Sequence, residues 1–371
     1  MKLYLINLIS FGLRSEWGYW GYQRCDKPDN IHDYVSSAEI QQVKDIISNK
    51  NNKVILHAVS ETWSVDAISS ILTQLEVTPD LPNVKLVVDT CVTEWRPTNV
   101  LNFPATYYSH DLMKVANYED KFGCNTEINL STNRFLYLMG KPYKPHRIGL
   151  LHQLYCFGLL DHCDWSFTLH DSIYKKTRDI LPQLTDAEFD EFVQNTTRTL
   201  DNIDILGAES GRYFYEGIPY DTAMYKNTSF SLISETMVMP KCITEKTWRT
   251  IANRHAFTTL GGVECFRWLN NLGIDTFDYL RSVTQDRNVA NTGALNSRYM
   301  LTHITEHQSE IKNSIESNYN VYRRLAGFYR EKIDEVIEPY LTLPFTKSPP
   351  IIERIDDDVS DRAISKLWCC W

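Results

Sequence analysis

The sequence lacks several patterns that mark common classes of protein. It has no run of about 20 apolar residues, which is the length that a helix needs to cross a bilayer. Neither a P-loop nor a Gly-x-Gly-x-x-Gly motif occurs, which argues against kinases and ordinary dehydrogenases. No Cys-x-x-Cys pair occurs either, so a structural zinc site has little support. Since 43% of the 371 residues are hydrophobic and 12% are aromatic, we expect a fully folded globular enzyme.

Positive charge is also scarce. The 38 lysines and arginines are outnumbered by 47 aspartates and glutamates, which gives a formal net charge of −9. A surface for nucleic acid needs clustered Lys and Arg to neutralise phosphates, so DNA binding is disfavoured. The nine cysteines are an odd number without regular spacing. This pattern favours free thiols in a reducing compartment, and we therefore expect a cytoplasmic protein.

Strand and helix patterns alternate along the chain, and the length suits two domains. The predicted strands of the N-terminal half are residues 2–9, 53–59 and 84–89, separated by helices at 38–48 and 65–75. A second unit begins with a strand at 134–139 and a helix at 148–157. Such alternation predicts an α/β fold with mostly parallel sheets and helical crossovers.

Aromatic residues among glycines predict a long loop between residues 12 and 30. Long ordered loops at strand ends are often functional, and both sugars and bases stack on aromatic faces. One interpretation is that Trp17, Tyr19 and Trp20 form a platform for an acceptor substrate. The other is that these side chains only pin the loop to the core, and the sequence favours neither.

The most informative segment runs from residue 229 to residue 277. A predicted strand at 229–234 ends at Glu235, and ten positions later Glu245 and Lys246 open a helix. A second strand at 255–260 then runs into Gly261. Ligands of such units gather at the carboxyl ends of the strands. Lys246 adds a charge where the helix amides already favour an anion, so a phosphate group is the expected ligand.

This segment resembles the donor-binding signature of the α1,3-fucosyltransferase family, and most of all its phage-type members. The family has a Phe-x-Leu-x-Phe-Glu-Asn-Ser strand end, a Thr-Glu-Lys sequence ten residues on, and a later strand that ends in glycine. The matching residues are Phe230, Leu232, Glu235, Thr244, Glu245, Lys246 and Gly261. The departures are Ile233, Ser234, Thr236 and the pair His255-Ala256.

The resemblance implies the GT-B architecture, in which two Rossmann-like domains face each other across a cleft. Residues 1–130 would form the acceptor-side N-terminal domain, and residues 131–300 the domain that binds the nucleotide sugar. Helices within 301–345 would cross back to the first domain, and 346–371 would form a tail. A glycosyltransferase of this kind needs no cofactor besides its nucleotide-sugar substrate, and no metal is expected.

The resemblance also implies roles for single residues. Arg147 and Lys246 would grip the diphosphate and stabilise its developing charge without a metal. Glu245 would accept hydrogen bonds from the ribose, and Glu235 would lie against the donor sugar. The predicted donor-binding residues are Arg147, Glu235, Thr244, Glu245, Lys246 and Gly261. The structural alternatives are a surface salt bridge for Arg147 and helix capping for Glu245.

An inverting transfer also needs one general base beside the acceptor hydroxyl. The family takes this base from the N-terminal domain, just after a strand. Glu94 fits that position best, Asp89 at the strand tip is its rival, and Glu61 after an earlier strand is third. Each acid alone has a structural interpretation, but we expect the set to contain the base.

The predicted function is an inverting, metal-independent transfer of a sugar from a nucleoside diphosphate to a hydroxyl of a glycan or glycoconjugate. One alternative is a phage DNA glycosyltransferase that acts on a hydroxymethylated base. Another is a GT-B scaffold that serves as a sugar-nucleotide epimerase or as a non-catalytic binding module. The expected partners are the nucleotide sugar and a glycan acceptor, with DNA as the rival and no membrane span. The protein would then be in the host cytoplasm if a phage encodes it.

Overall fold

The computed structural model describes most of the chain. The described residues are 2–11, 14–17, 23–26, 30–63, 65–78, 81–90, 100–104, 107–139, 144–167, 171–198, 223–235, 243–260, 263–282 and 289–337. They divide into two compact units. The first unit holds the described residues up to His110 and those from Gly327 onward, and the second unit holds those within Asp111–Ala326.

The regular elements are named in chain order. The strands are β1 (Lys2–Asn7), β2 (Arg14–Trp17), β3 (Gln23–Asp26), β4 (Asn52–Trp63), β5 (Val84–Thr90), β6 (Val100–Pro104), β7 (Phe135–Leu138), β8 (Cys163–Ser166), β9 (Phe230–Ser234) and β10 (Ala256–Leu260). The helices are α1 (Ser37–Ser48), α2 (Val65–Gln74), α3 (Tyr107–Phe122), α4 (Pro145–Cys156), α5 (Asp171–Ile180), α6 (Asp186–Thr196), α7 (Ala223–Asn227), α8 (Glu245–Ala252), α9 (Val263–Asn271), α10 (Val289–His303) and α11 (Gln308–Ile337).

The first unit is built on a parallel sheet with the strand order β1–β4–β5–β6. α1 and α2 are crossover helices between consecutive strands of this sheet. α1 begins where the Ser36 side chain caps the helix and Glu39 returns a bond to the Ser36 backbone, a capping box that the sequence encodes directly. Alternating strand and helix patterns predict such a sheet, and the α/β class is confirmed here.

Part of the region predicted to be a loop is an antiparallel ribbon of β2 and β3. Its register places Arg14 opposite Asp26 and Glu16 opposite Arg24. The interpretation of residues 12–30 as one long aromatic loop did not include this ribbon. Trp17 is the last residue of β2, whereas the other two predicted acceptor residues, Tyr19 and Trp20, lie outside the described residues.

The second unit contains a parallel sheet with the strand order β10–β9–β7–β8. β7 pairs with β9 through Phe135 and Phe230, whose rings also stack at 5.2 Å between centroids. α4 follows β7 in the chain, and α8 follows β9. Because β7 and β9 are parallel neighbours, their carboxyl ends share one edge of the sheet. Both helices therefore begin on that side of the sheet.

A buried histidine ties β9 to β10. The Ser231 hydroxyl donates to Nδ1 of His255 at 2.8 Å, and Nε2 of His255 donates to the Thr228 carbonyl at 2.8 Å. Burial lowers the pKa of His255 to about 4, against the hydrogen bond to Thr228, so the ring is neutral at pH 7. The residue is therefore part of the core of this unit.

The second unit begins within α3, and the predicted boundary at residues 130 and 131 lies inside it. A hydrogen-bonded network joins the end of α3 to α11. Glu119 accepts from the Tyr319 hydroxyl at 2.5 Å and from Arg323 at 3.2 Å, both on α11. Sequence periodicity does not report such long-range contacts.

α11 is the longest described helix, with 30 residues. It belongs to the second unit as far as Ala326 and to the first unit from Gly327 onward. Among the helices of the described residues, none combines the length and the hydropathy that crossing a bilayer requires.

Candidate active site

Arg147 lies in the first turn of α4, where the chain leaves the β7 edge of the sheet. Pro145 occupies the first helical position, which suits its fixed backbone angle and its missing N–H. Arg147 is 2% exposed, and its Nη2 donates to the carbonyl oxygens of Ser234 and Glu235 at 3.3 Å each. The guanidinium is therefore fixed at the carboxyl end of β9. The alternative of a surface salt bridge does not fit this burial.

His146 precedes Arg147 and contacts the same carbonyl group. Its Nε2 lies 3.0 Å from the Glu235 carbonyl oxygen, which can only accept, so Nε2 carries the proton. Burial lowers the pKa of His146 to about 4, and the charges of Arg147, Lys144 and Lys246 act in the same direction. The imidazole is therefore neutral at pH 7, and its Nδ1 presents a lone pair.

The carboxyl group of Glu235 is fully buried and holds the start of α8. Oε1 accepts from the Thr244 backbone N–H at 3.1 Å and from the Thr247 hydroxyl at 2.6 Å. Oε2 accepts from the Thr244 hydroxyl at 2.5 Å. These bonds satisfy amide and hydroxyl donors in the first turn of the helix and fix its position against β9. The predicted contact of Glu235 with a donor sugar stays a prediction.

Lys246 and Glu245 form an ion pair at the same helix start. Lys246 Nζ lies 2.7 Å from Glu245 Oε1 and donates to the Thr244 hydroxyl at 3.1 Å. Arg249 Nη2 lies 3.8 Å from the same carboxylate oxygen. Burial raises the pKa of Glu245, but the two cations outweigh it and hold the pKa well below its ordinary value. Glu245 is therefore ionised at neutral pH, and the pair holds the lysine in the first turn of α8.

Together these residues form a basic cluster, defined here as Lys144, His146, Arg147 and Lys246. Lys144 is the residue that precedes α4 and is 5% exposed, so its charge is almost as buried as that of Arg147. The cluster lies at the N-termini of α4 and α8, where backbone N–H groups and the helix dipoles already favour negative charge. Two nearly buried cations, Lys144 and Arg147, beside the partly exposed Lys246 are suited to an anion of more than one charge, such as a diphosphate.

The structure brings together five of the six predicted donor-binding residues: Arg147, Glu235, Thr244, Glu245 and Lys246. Gly261 lies outside the described residues. The sequence alone did not assign a role to Lys144, His146 or Thr247. The predicted helix began at residue 148, three residues after the observed start at Pro145. Pro145 was the signal that could have placed the helix start earlier, at residue 145, because proline suits the first helical position.

The three candidate bases belong to the first unit or are not described. Asp89 is the penultimate residue of β5, close to the predicted strand tip. Glu61 was predicted to follow a strand, but it lies inside β4, which continues to Trp63. Glu94 lies outside the described residues. Within the ranges that the structure describes, no group of three or more His, Cys, Asp or Glu side chains could hold a metal ion. A metal-independent reaction stays a prediction.

The chain was compared with protein-family models, with curated proteins and with solved structures. No family model matches, and neither a curated protein nor a solved structure does. The relation to the fucosyltransferases is therefore an inference from the sequence motif.

Proposed function

We propose that the protein is an inverting glycosyltransferase of GT-B architecture. It would transfer a sugar from a nucleoside diphosphate to a hydroxyl of a glycan or glycoconjugate. The observation that carries the proposal is the basic cluster, in which Lys144, Arg147 and Lys246 gather at two helix N-termini. The resemblance of residues 229–277, which include Lys246, to the fucosyltransferase family supports it from the sequence.

The cluster suits the leaving group of such a reaction. Breaking the bond between a sugar and a nucleoside diphosphate leaves an additional negative charge on the diphosphate. Positive groups that are already fixed before the reaction stabilise that charge without reorganising, which is the most effective form of electrostatic catalysis. Arg147 is fixed by two carbonyl oxygens and Lys246 by Glu245 and Thr244, so both meet this requirement.

The base would act on the acceptor and not on the donor. Glu94, Asp89 and Glu61 remain the candidates, and the proposed GT-B arrangement would supply one of them from the first unit. Removing the base should therefore lower turnover and leave donor binding intact. Removing a cation of the basic cluster should weaken donor binding directly.

The test is incubation of the protein with GDP-, UDP- and dTDP-sugars and a panel of glycan acceptors, followed by NMR of the products. The expected result is a glycoside whose anomeric configuration is opposite to that of the donor. Retained configuration would contradict the inverting mechanism. An isomerised donor would indicate an epimerase, and a donor that is bound but unchanged would indicate a binding module.

A matched pair of variants assigns any activity to the proposed site. Lys246→Met should abolish transfer because it removes a cation of the basic cluster. Lys226→Met should leave transfer unchanged, because Lys226 lies on α7 and its side chain is 46% exposed in an ion pair with Glu127. A parallel incubation with duplex DNA that contains hydroxymethylated bases tests the rival acceptor.

A further inference from the structure

His146 has a buried hydrogen-bond acceptor that the proposed mechanism does not use. The residue is 8% exposed, and no described group lies within hydrogen-bond distance of its Nδ1. Its other ring nitrogen, Nε2, is engaged with the Glu235 carbonyl. Since the neutral ring has only one proton and Nε2 carries it, Nδ1 can only accept.

An unmatched buried acceptor is unfavourable. Burying a polar group without a partner destabilises a protein, and a ligand that supplies a donor recovers that energy. The neighbouring side chains of Lys144, Arg147 and Lys246 are donors that suit phosphate oxygens. The Nδ1 lone pair differs from them, because a deprotonated phosphate oxygen is itself an acceptor and is repelled. The matching group on a ligand is an O–H or an N–H beside the anion.

We propose that Nδ1 of His146 accepts a hydrogen bond from a hydroxyl group of the ligand whose diphosphate the basic cluster binds. This inference rests on the proposed function and adds to it a preference among diphosphate ligands. A nucleotide sugar has hydroxyls on both sides of its diphosphate, on the ribose and on the transferred sugar. Inorganic diphosphate at pH 8 offers few donors, so His146 gives the site a preference for the nucleotide form.

Two substitutions of His146 test the roles of the two ring nitrogens separately. In His146→Gln the side-chain amide reaches the position of Nε2, so the bond to the Glu235 carbonyl is kept and the acceptor at Nδ1 is lost. In His146→Asn the shorter amide lies near the position of Nδ1, so an acceptor is kept and the bond to Glu235 is lost. Circular dichroism and the thermal midpoint establish that each variant is folded.

The experiment is calorimetric titration at pH 8 of the wild type and both variants with inorganic diphosphate, the nucleoside diphosphate and its nucleotide sugar. His146→Gln is expected to weaken binding of the hydroxyl-bearing ligand about five- to tenfold and to leave the affinity for inorganic diphosphate within about twofold of the wild type. His146→Asn is expected to keep the preference for the nucleotide. A loss that begins with the nucleoside diphosphate assigns the hydroxyl to the ribose, and a loss seen only with the nucleotide sugar assigns it to the transferred sugar.

Several results would overturn the inference. Equal weakening of all three ligands by His146→Gln would make the residue a general structural support. Unchanged binding of all three ligands to His146→Gln would also rule out the acceptor role. A loss of preference in His146→Asn as large as that in His146→Gln would do the same. A wild type that binds inorganic diphosphate as tightly as nucleotide sugars would refute the preference for the nucleotide form, while the anion site itself would stand. A wild type that binds none of the ligands would refute the proposed function itself.

Discussion

Replacing Glu235 by Gln should destabilise the second unit through a conflict between donors. In the wild type the Thr244 hydroxyl donates to Glu235. It also accepts from the Lys246 backbone N–H at 3.5 Å and from Lys246 Nζ at 3.1 Å. A glutamine –NH₂ in the position of Oε2 would make Thr244 accept from three donors with two lone pairs. The flipped amide would instead direct its –NH₂ at the Thr244 N–H and the Thr247 hydroxyl.

The size of the effect follows from the three bonds that the carboxylate accepts. A hydrogen bond to a charged group contributes about 1.5–3 kcal/mol and one between neutral groups about 0.5–1.5 kcal/mol. Two bonds would lose their charge assistance and the third would lose its acceptor. The expected destabilisation is therefore about 3 kcal/mol. Urea unfolding of the full chain, monitored by circular dichroism, measures this change in the free energy of unfolding. The relevant transition is the one in which the second unit unfolds.

The matched control is Glu127→Gln, which makes the same chemical change at a side chain that is 69% exposed in an ion pair with Lys226. It should alter the free energy of unfolding by less than about 0.5 kcal/mol. Thr247→Val should give an intermediate loss, since it removes only one of the three bonds to Glu235. A value for Glu235→Gln as small as that of the control would refute the role of Glu235 in holding α8.

Three further outcomes are expected. Gly293→Ala should destabilise the protein by about 1–3 kcal/mol in urea unfolding, because the new methyl group would lie 2.8 Å from Leu260 Cδ1. Burial lowers the pKa of His255 from its ordinary value near 6.5 to about 4, so the unfolded chain binds the extra proton between these values and stability falls as pH drops through that window. The slope that His255 contributes approaches about 1.4 kcal/mol per pH unit, and His255→Gln should remove it when unfolding is measured from pH 7 to pH 5. Glu94→Gln or Asp89→Asn should lower the turnover measured with a saturating donor and leave the calorimetric affinity for the donor unchanged, and a matching loss of donor affinity would show that the residue is not the base.

Local signals predicted the β9–α8–β10 unit well. An alternating apolar strand, an acidic first turn and a second strand are all encoded within residues 230–260, and each element forms near its predicted position. The contact between His146 and Glu235 joins residues 89 positions apart, and no periodicity reports it. The contact between Tyr319 and Glu119 joins α11 to α3 across 200 positions, and periodicity does not report it either.

Contacts between neighbours in the chain were therefore more predictable than the packing that buries the candidate site. Glu245 and Lys246 are adjacent in the chain, and their pairing follows from that adjacency. The burial of Lys144 and Arg147 depends instead on how α4 packs against the end of β9, which only the fold determines. The buried position of Glu235 under α8 depends on the same packing.

We propose above that the basic cluster binds the diphosphate of a nucleotide sugar. The most direct test is calorimetric titration of the wild type, Lys246→Met and Arg147→Met with GDP-, UDP- and dTDP-sugars. We expect saturable binding of at least one nucleotide sugar to the wild type. Each substitution should weaken that binding by about 2–4 kcal/mol, because it removes a charge held against the phosphates. If no nucleotide sugar binds, or if Lys246→Met binds as tightly as the wild type, the claim is contradicted.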